Sequence, residues 1–218
     1  METGKNRGAM PINTTGIKNI ILDLGGVVVG LDPGKTVREF LSLGFHGIEN
    51  TDFVMAKYPF FMEYETGKIN TADFIASIQK ATDRDISSDK IAAAWNTMIL
   101  DLKKDVMHLL KKLRLGYRIF LLSNTNELHI HSFNEALNIK YGLMDLSEIF
   151  EKLYYSHVLG MRKPDREIFE FVLNDSQISP AETLYIDDTL AHIESAATLG
   201  VRVYHLQVPE KLTDILKI

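Results

Sequence analysis

The chain of 218 residues contains no cysteine. That absence excludes disulfides, thiolate zinc sites and cysteine nucleophiles together. No apolar stretch approaches the roughly 20 residues that a membrane helix needs. Positive charge is short as well: 24 Lys and Arg stand against 29 Asp and Glu, and the net charge of −5 argues against nucleic acid as the main partner. Residues Met1 to Gly16 lack the apolar block of a secretory signal and read as a flexible tail on a cytoplasmic protein. There is no internal repeat and no low-complexity block. Length allows one sizeable core with room for a small second module.

What is present begins with Asn19-Ile20-Ile21-Leu22-Asp23-Leu24-Gly25-Gly26-Val27-Val28-Val29. An unbroken apolar run reads as a strand buried on both faces of a parallel sheet. Ligands of open α/β sheets sit beyond the carboxyl ends of the strands, where Asp23 would project. The following Gly30-Leu31-Asp32-Pro33-Gly34-Lys35-Thr36 is not a P-loop, because that motif needs four residues between its glycines and Gly30 to Gly34 leaves three. Asp32 as N-cap and Pro33 at the first helical position open a helix instead.

From there to residue 102 the pattern is helical. Phe74, Ile75 and Ile78 recur at helical spacing in 71–82, and Ile91, Trp95 and Met98 do so in 89–100. Trp95 and the Phe60-Phe61-Met62 cluster read as core. Beyond it, strands at 118–122, 153–156, 183–186 and 201–206 alternate with amphipathic helices. One of these carries Val106, Leu109, Leu110 and Leu113, and another Ile168, Phe169, Val172 and Leu173. Such alternation specifies a parallel sheet with right-handed crossovers, so the fold class is α/β with a helical insertion.

Polar residues end three of the strands: Asp23, Ser123-Asn124 and Asp187-Asp188. Lys163 starts a helix after a further strand and projects to the same sheet edge. Carboxylates about 4 Å apart repel by about 4 kcal/mol at an effective dielectric of about 20. Such a cluster implies a cation or raised pKa values. All-oxygen ligands suit Mg²⁺, which recruits phosphate oxygens. Asp23 is then a candidate nucleophile toward phosphorus. Each piece also has a plain structural reading, in which Asp187-Asp188-Thr189 and Ser123-Asn124-Thr125 would simply cap the helices that follow them. His129 and His131 lie two apart on a helix and make a poor metal pair.

At these residues the chain resembles the haloacid dehalogenase superfamily, and within it the phosphatases with a helical cap. Asp23 matches the nucleophile of the first motif, Ser123 the hydroxyl of the second, Lys163 the lysine of the third, and Asp187-Asp188 the acids of the fourth. Leu122-Ser123-Asn124-Thr125-Asn126, Gly160-Met161-Arg162-Lys163-Pro164 and Tyr64-Glu65-Thr66-Gly67-Lys68-Ile69 are similar to the α-D-glucose-1-phosphatase-like branch. The resemblance implies a five-stranded, Rossmann-like core over 17–31 and 103–218, a cap over 32–102, and an aspartyl-phosphate on Asp23. It implies Mg²⁺ held by Asp23, Asp188 and the Gly25 carbonyl, with Asp187 supporting. Ser123, Lys163 and the Asn124 backbone N–H would hold the phosphate.

One departure stands out. Position 25 is Gly where most of these phosphatases carry a second Asp as general acid and base. Acid–base catalysis contributes typically about 10²–10⁴-fold. The leading expectation is a Mg²⁺-dependent phosphomonoesterase for a small phosphorylated metabolite, a sugar phosphate. The alternative is a phosphate-ligand binder with weak or no turnover. Haloacid dehalogenation and phosphonate cleavage through an imine on Lys57 or Lys68 rank below both. A substitute acid would be Asp32 or another cap residue. Substrate identity and oligomeric state stay open.

Overall fold

A computed structural model describes residues 11–45, 57–82 and 84–217. Five parallel strands form one sheet: β1 (Asn19–Leu22), β2 (Arg118–Ser123), β3 (Lys152–Tyr155), β4 (Thr183–Asp187) and β5 (Arg202–His205), in the order β3-β2-β1-β4-β5. The chain winds outward through β2 and β3, then returns across β1 to β4. The order therefore reverses between β1 and β4, the place where open α/β sheets bind ligands. Leu22 registers with Leu121 on one side and Ile186 on the other. Asp23, one residue on, lies beside Asp187, and its N–H donates to the Ile186 carbonyl at 3.0 Å.

Both faces of the sheet are covered, as the unbroken apolar strands require. Alternate residues of β1 go to opposite sides. Ile20 and Leu22 pack with Leu110 and Leu113 of α5 (Lys104–Gly116), while Ile21 packs with Phe120, Leu122, Tyr185 and the apolar stripe of α8 (Arg166–Asp175). The stripes read from the sequence are the buried ones: Val106, Leu109, Leu110 and Leu113, then Ile168, Phe169, Val172 and Leu173. Between the sheet elements run α6 (Glu127–Tyr141), α7 (Ser156–Leu159) and α9 (Leu190–Ala197), and α10 (Leu212–Ile215) ends the described chain.

Between β1 and β2 the chain inserts α1 (Pro33–Ser42), α2 (Phe60–Glu65), α3 (Thr71–Thr82) and α4 (Ser88–Asn96). These helices bury their own cluster, with Phe40, Phe45, Phe61, Phe74 and Trp95 at its centre. The helix expected over 89–100 ends at Asn96. Its last residues are drawn into the linkers, where Leu31 and Ile99 form an antiparallel bridge. Asp32 N–H donates to the Met98 carbonyl at 2.9 Å and Leu100 N–H to the Gly30 carbonyl at 3.0 Å.

The expected tail needs a similar correction. Residues 1–10 lie outside the described chain, but the following segment is tied down. Ile12 N–H donates to the Ile215 carbonyl at 2.8 Å, and Tyr117 donates to Thr14 Oγ1 at 3.0 Å. Asp32 does occupy the N-cap position with Pro33 behind it, yet its side chain caps nothing. Its carboxylate turns to the Arg38 guanidinium, 3.8 Å away.

Candidate active site

Lys163 is the centre of the site. It is fully buried, and its ammonium reaches Asp23 Oδ1 at 2.9 Å, Asp187 Oδ2 at 2.7 Å and the Leu122 carbonyl at 3.0 Å. Three acceptors satisfy the three ammonium protons, which is what a charge removed from water requires. The lysine is delivered by Asn124, whose side-chain amide donates to the Lys163 carbonyl at 2.8 Å and accepts from its N–H at 2.9 Å. Asn124 was expected to serve phosphate through its backbone. Its side chain clamps the loop that carries the lysine. Ser123, at the end of β2, is buried, and among the described residues its hydroxyl makes only a long bond, 3.4 Å, to the Asn124 carbonyl.

Burial and charge set the protonation states. Burial pushes the Asp23 carboxyl up; Lys163 pulls it down, while Asp187 and Asp188 push it further up, to about 7. Burial also acts against Asp187, but Lys163 and His192 hold it well below the usual carboxylate range. For Lys163, burial favours the neutral amine, and the Asp23 and Asp187 charges more than offset it, so its pKa is raised. Asp23 Oδ1 also accepts from Leu24 N–H at 2.7 Å. Both donors land on that oxygen, which leaves Oδ2 for chemistry.

Asp187 is saturated: besides Lys163 it accepts from Tyr185 Oη, from Thr189 N–H at 2.8 Å and from the His192 ring, whose Nδ1 is 3.1 Å away. Its lone pairs are taken by protein donors, which suits a supporting acid better than a direct ligand. Asp188 differs: the residue reaches solvent, and partial desolvation of its carboxyl together with the neighbouring Asp187 charge raises its pKa. Space for its carboxylate comes from Gly26, at φ +74, where a Cβ would lie 1.9 Å from Asp188 Oδ2. Asp23, Asp187 and His192 offer ligand atoms within 4.8 Å of one another. The donors around the edge are oxygens with one imidazole, and the crowded acids lack enough positive charge of their own; Mg²⁺ fits that deficit.

At position 25 the glycine is fitted to its surroundings. A Cβ there would meet Leu31 Cδ1 at 2.5 Å, so the Leu31 side chain fills the place of any larger residue. Lys57 and Lys68 are both exposed, Lys57 lying over the Tyr58 ring at 5.2 Å, unlike the desolvated lysine that imine chemistry needs. His129 is buried with its pKa lowered to about 3 by burial, and His131 is exposed beside Glu135, so the two do not converge.

Sequence reasoning missed His192 and Tyr185. His192 had a weak signal, three residues into a helix whose N-cap follows the acid pair. Tyr185 lies two residues before Asp187, on the same side of β4.

The family model for haloacid dehalogenase-like hydrolases matches residues 17–200. A D-ribitol-5-phosphate phosphatase of Bacteroides thetaiotaomicron is 32% identical over 201 residues, covering 91% of this chain and 94% of that protein. Among solved structures, a haloacid dehalogenase family enzyme of the same organism, in complex with magnesium and inorganic phosphate, superposes with a TM-score of 0.81. It is 35% identical, with 89% of this chain and 96% of that one covered. A family hydrolase of Porphyromonas gingivalis superposes at 0.78 with 28% identity, over 89% and 93% of the two chains. Matching residues over most of the length, the same five-stranded fold and relatives that are phosphatases agree, and the chain belongs to the haloacid dehalogenase-like hydrolase family.

Proposed function

We propose that the protein is a Mg²⁺-dependent phosphomonoesterase acting on a small sugar or sugar-alcohol phosphate through an aspartyl-phosphate on Asp23. The observation that carries this reading is the Lys163 ammonium bridging Asp23 and Asp187 at the switch point of the sheet. It fixes one oxygen of Asp23 and leaves the other to attack phosphorus in line. Ser123 and the Asn124 backbone N–H, on the loop that opens α6, would hold the phosphate oxygens. Mg²⁺, when bound, would be held by Asp23, Asp188 and the Gly25 carbonyl, with Asp187 supporting, and supplies neutralising charge for the phosphate. The ribitol-5-phosphate phosphatase relative supports a polyol or sugar phosphate as substrate.

In this reading residues 32–102 act as a cap on a core of 17–31 and 103–218. Their separate apolar cluster and paired linkers support that division. The cap excludes water while Asp23 attacks.

The test is phosphate release with Mg²⁺ across sugar and polyol phosphates, repeated with Asp23→Asn. Turnover that vanishes in the variant supports the covalent route, and turnover that survives removes it. A second reading, a site that binds phosphate without efficient turnover, has its own observation: Leu31 lies where a side chain at position 25 would begin, so no carboxyl there can protonate a leaving group. Tight phosphate binding by a chain that hydrolyses nothing in the panel selects that reading.

A further inference from the structure

In-line attack by Asp23 drives the leaving oxygen away from the sheet edge, toward the helical insertion. A proton for that oxygen must come from the same side, and neither Gly25 nor Leu31 has one to give. Among the described residues of the insertion, Glu39, Glu63, Asp73, Asp85, Asp89 and Asp101 are exposed, and Asp32 faces Arg38. Glu65 is different. Its side chain is only 19% exposed, at the C-terminal end of α2, in the Tyr64-Glu65-Thr66-Gly67 segment that docks on the core.

The docking is specific. The Ser156 hydroxyl donates to the Glu65 carbonyl at 2.6 Å and accepts from Thr125 N–H at 2.9 Å, two residues beyond Ser123. Gly67, at φ +65, lets the turn close on the core, since a Cβ there would lie 2.1 Å from the His157 carbonyl oxygen. The Glu65 carboxylate meets Arg162, immediately before Lys163, with Nε at 3.0 Å and Nη2 at 2.9 Å, both on Oε2. Glu65 is thus stitched to the loop after Ser123 through its backbone and to the Lys163 loop through its side chain.

We propose that Glu65 is the proton-transfer residue of this site, supplying the carboxyl group that position 25 lacks; the assignment rests on the phosphomonoesterase reading. As the bond from phosphorus to the leaving oxygen breaks, the Glu65 carboxyl gives its proton to that oxygen, and the alcohol departs with the phosphoryl group on Asp23. The carboxylate then takes a proton from the water that attacks phosphorus, releasing inorganic phosphate and Asp23. With both guanidinium bonds on Oε2, Oε1 is the oxygen that carries the proton. Burial raises the Glu65 pKa against the pull of Arg162 first, then of Lys163 and His192.

Glu65→Gln keeps the size and an acceptor for Arg162 but has no transferable proton. With a sugar phosphate that the wild type turns over, kcat/KM should fall about 10²-fold or more. With p-nitrophenyl phosphate, whose leaving group needs no proton, kcat/KM should hold while p-nitrophenol appears in a burst, because water attack has lost its base. Glu65→Ala should recover sugar-phosphate turnover on addition of formate, a readout that packing alone does not move. Equal loss on both substrates, no loss on either, or no formate rescue overturns the assignment while the phosphatase reading stands. A wild type that hydrolyses no phosphomonoester overturns both.

Discussion

Gly26 and Asp188 share one volume: the carboxylate of the acid occupies the place where any side chain on the glycine would begin. Only glycine combines the positive φ with that vacancy. Gly26→Ala would therefore evict Asp188 and add backbone strain of about 1–2 kcal/mol. Mg²⁺ affinity, followed by calorimetric titration, should fall, and phosphate release at low Mg²⁺ should fall with it. Part of the activity should return at high Mg²⁺, because Asp23 and Lys163 are untouched.

Lys163→Met leaves two buried carboxylates facing each other without their cation. Breaking one side of a buried ion pair costs about 3–5 kcal/mol. Urea denaturation should show a loss of that order at neutral pH, and phosphate release should vanish. The stability loss should grow at alkaline pH, because without the lysine the Asp23 pKa rises further and only there does its carboxyl shed the proton that spares it an unpaired buried charge.

Without metal, Asp23 titrates near 7 in the folded chain against an ordinary 3.8. Between those values the folded protein holds a proton that the unfolded chain has lost. The stability this contributes is complete below about 3.8 and is lost as pH rises through about 7. A cation competes with that same proton. The rise in melting temperature on adding Mg²⁺ should accordingly be larger at pH 8 than at pH 6, with proton release on binding at the lower pH. An equal rise at both values contradicts Asp23 as a ligand.

The sheet was legible because buried parallel strands leave continuous apolar runs; its polar strand ends marked Asp23, Ser123 and Asp187-Asp188, and the segment after a further strand marked Lys163. The convergence of Asp23, Lys163 and Asp187 was not written in any local pattern; it follows from the register of β1 with β4 and from the Asn124 clamp on Lys163. Other features escaped for the same reason. Arg162 and Glu65 are 97 residues apart, and nothing near either predicts the other. Leu31 beside Gly25 is a packing fact that single-residue reasoning cannot supply. The helix over 89–100 was overextended because Met98 and Ile99 continue the helical period while the linker pairing claims their backbone.

Trp95, the chain's single tryptophan, stacks on His129 with ring centroids 4.8 Å apart and planes within 11°. The pair joins α4 to α6, with Asn126 Oδ1 accepting from the indole N–H at 3.2 Å and Asn96 Oδ1 2.9 Å from His129 Nδ1. Burial lowers the His129 pKa from 6.5 to about 3. Its contribution to stability is full above 6.5 and is lost as pH falls through about 3. Trp95 fluorescence should hold steady down to about pH 4 and change as the imidazolium forms beneath it. His129→Gln should abolish that acid transition.

The paired linkers at Leu31 and Ile99 have an evolutionary consequence. Because the inserted helices leave and rejoin the sheet at one spot, zipped by backbone hydrogen bonds, they form a cassette whose exchange disturbs no strand order. Under the proposed reading, other helices grafted at that spot would change the surface offered to a substrate and leave the residues of the sheet edge in place.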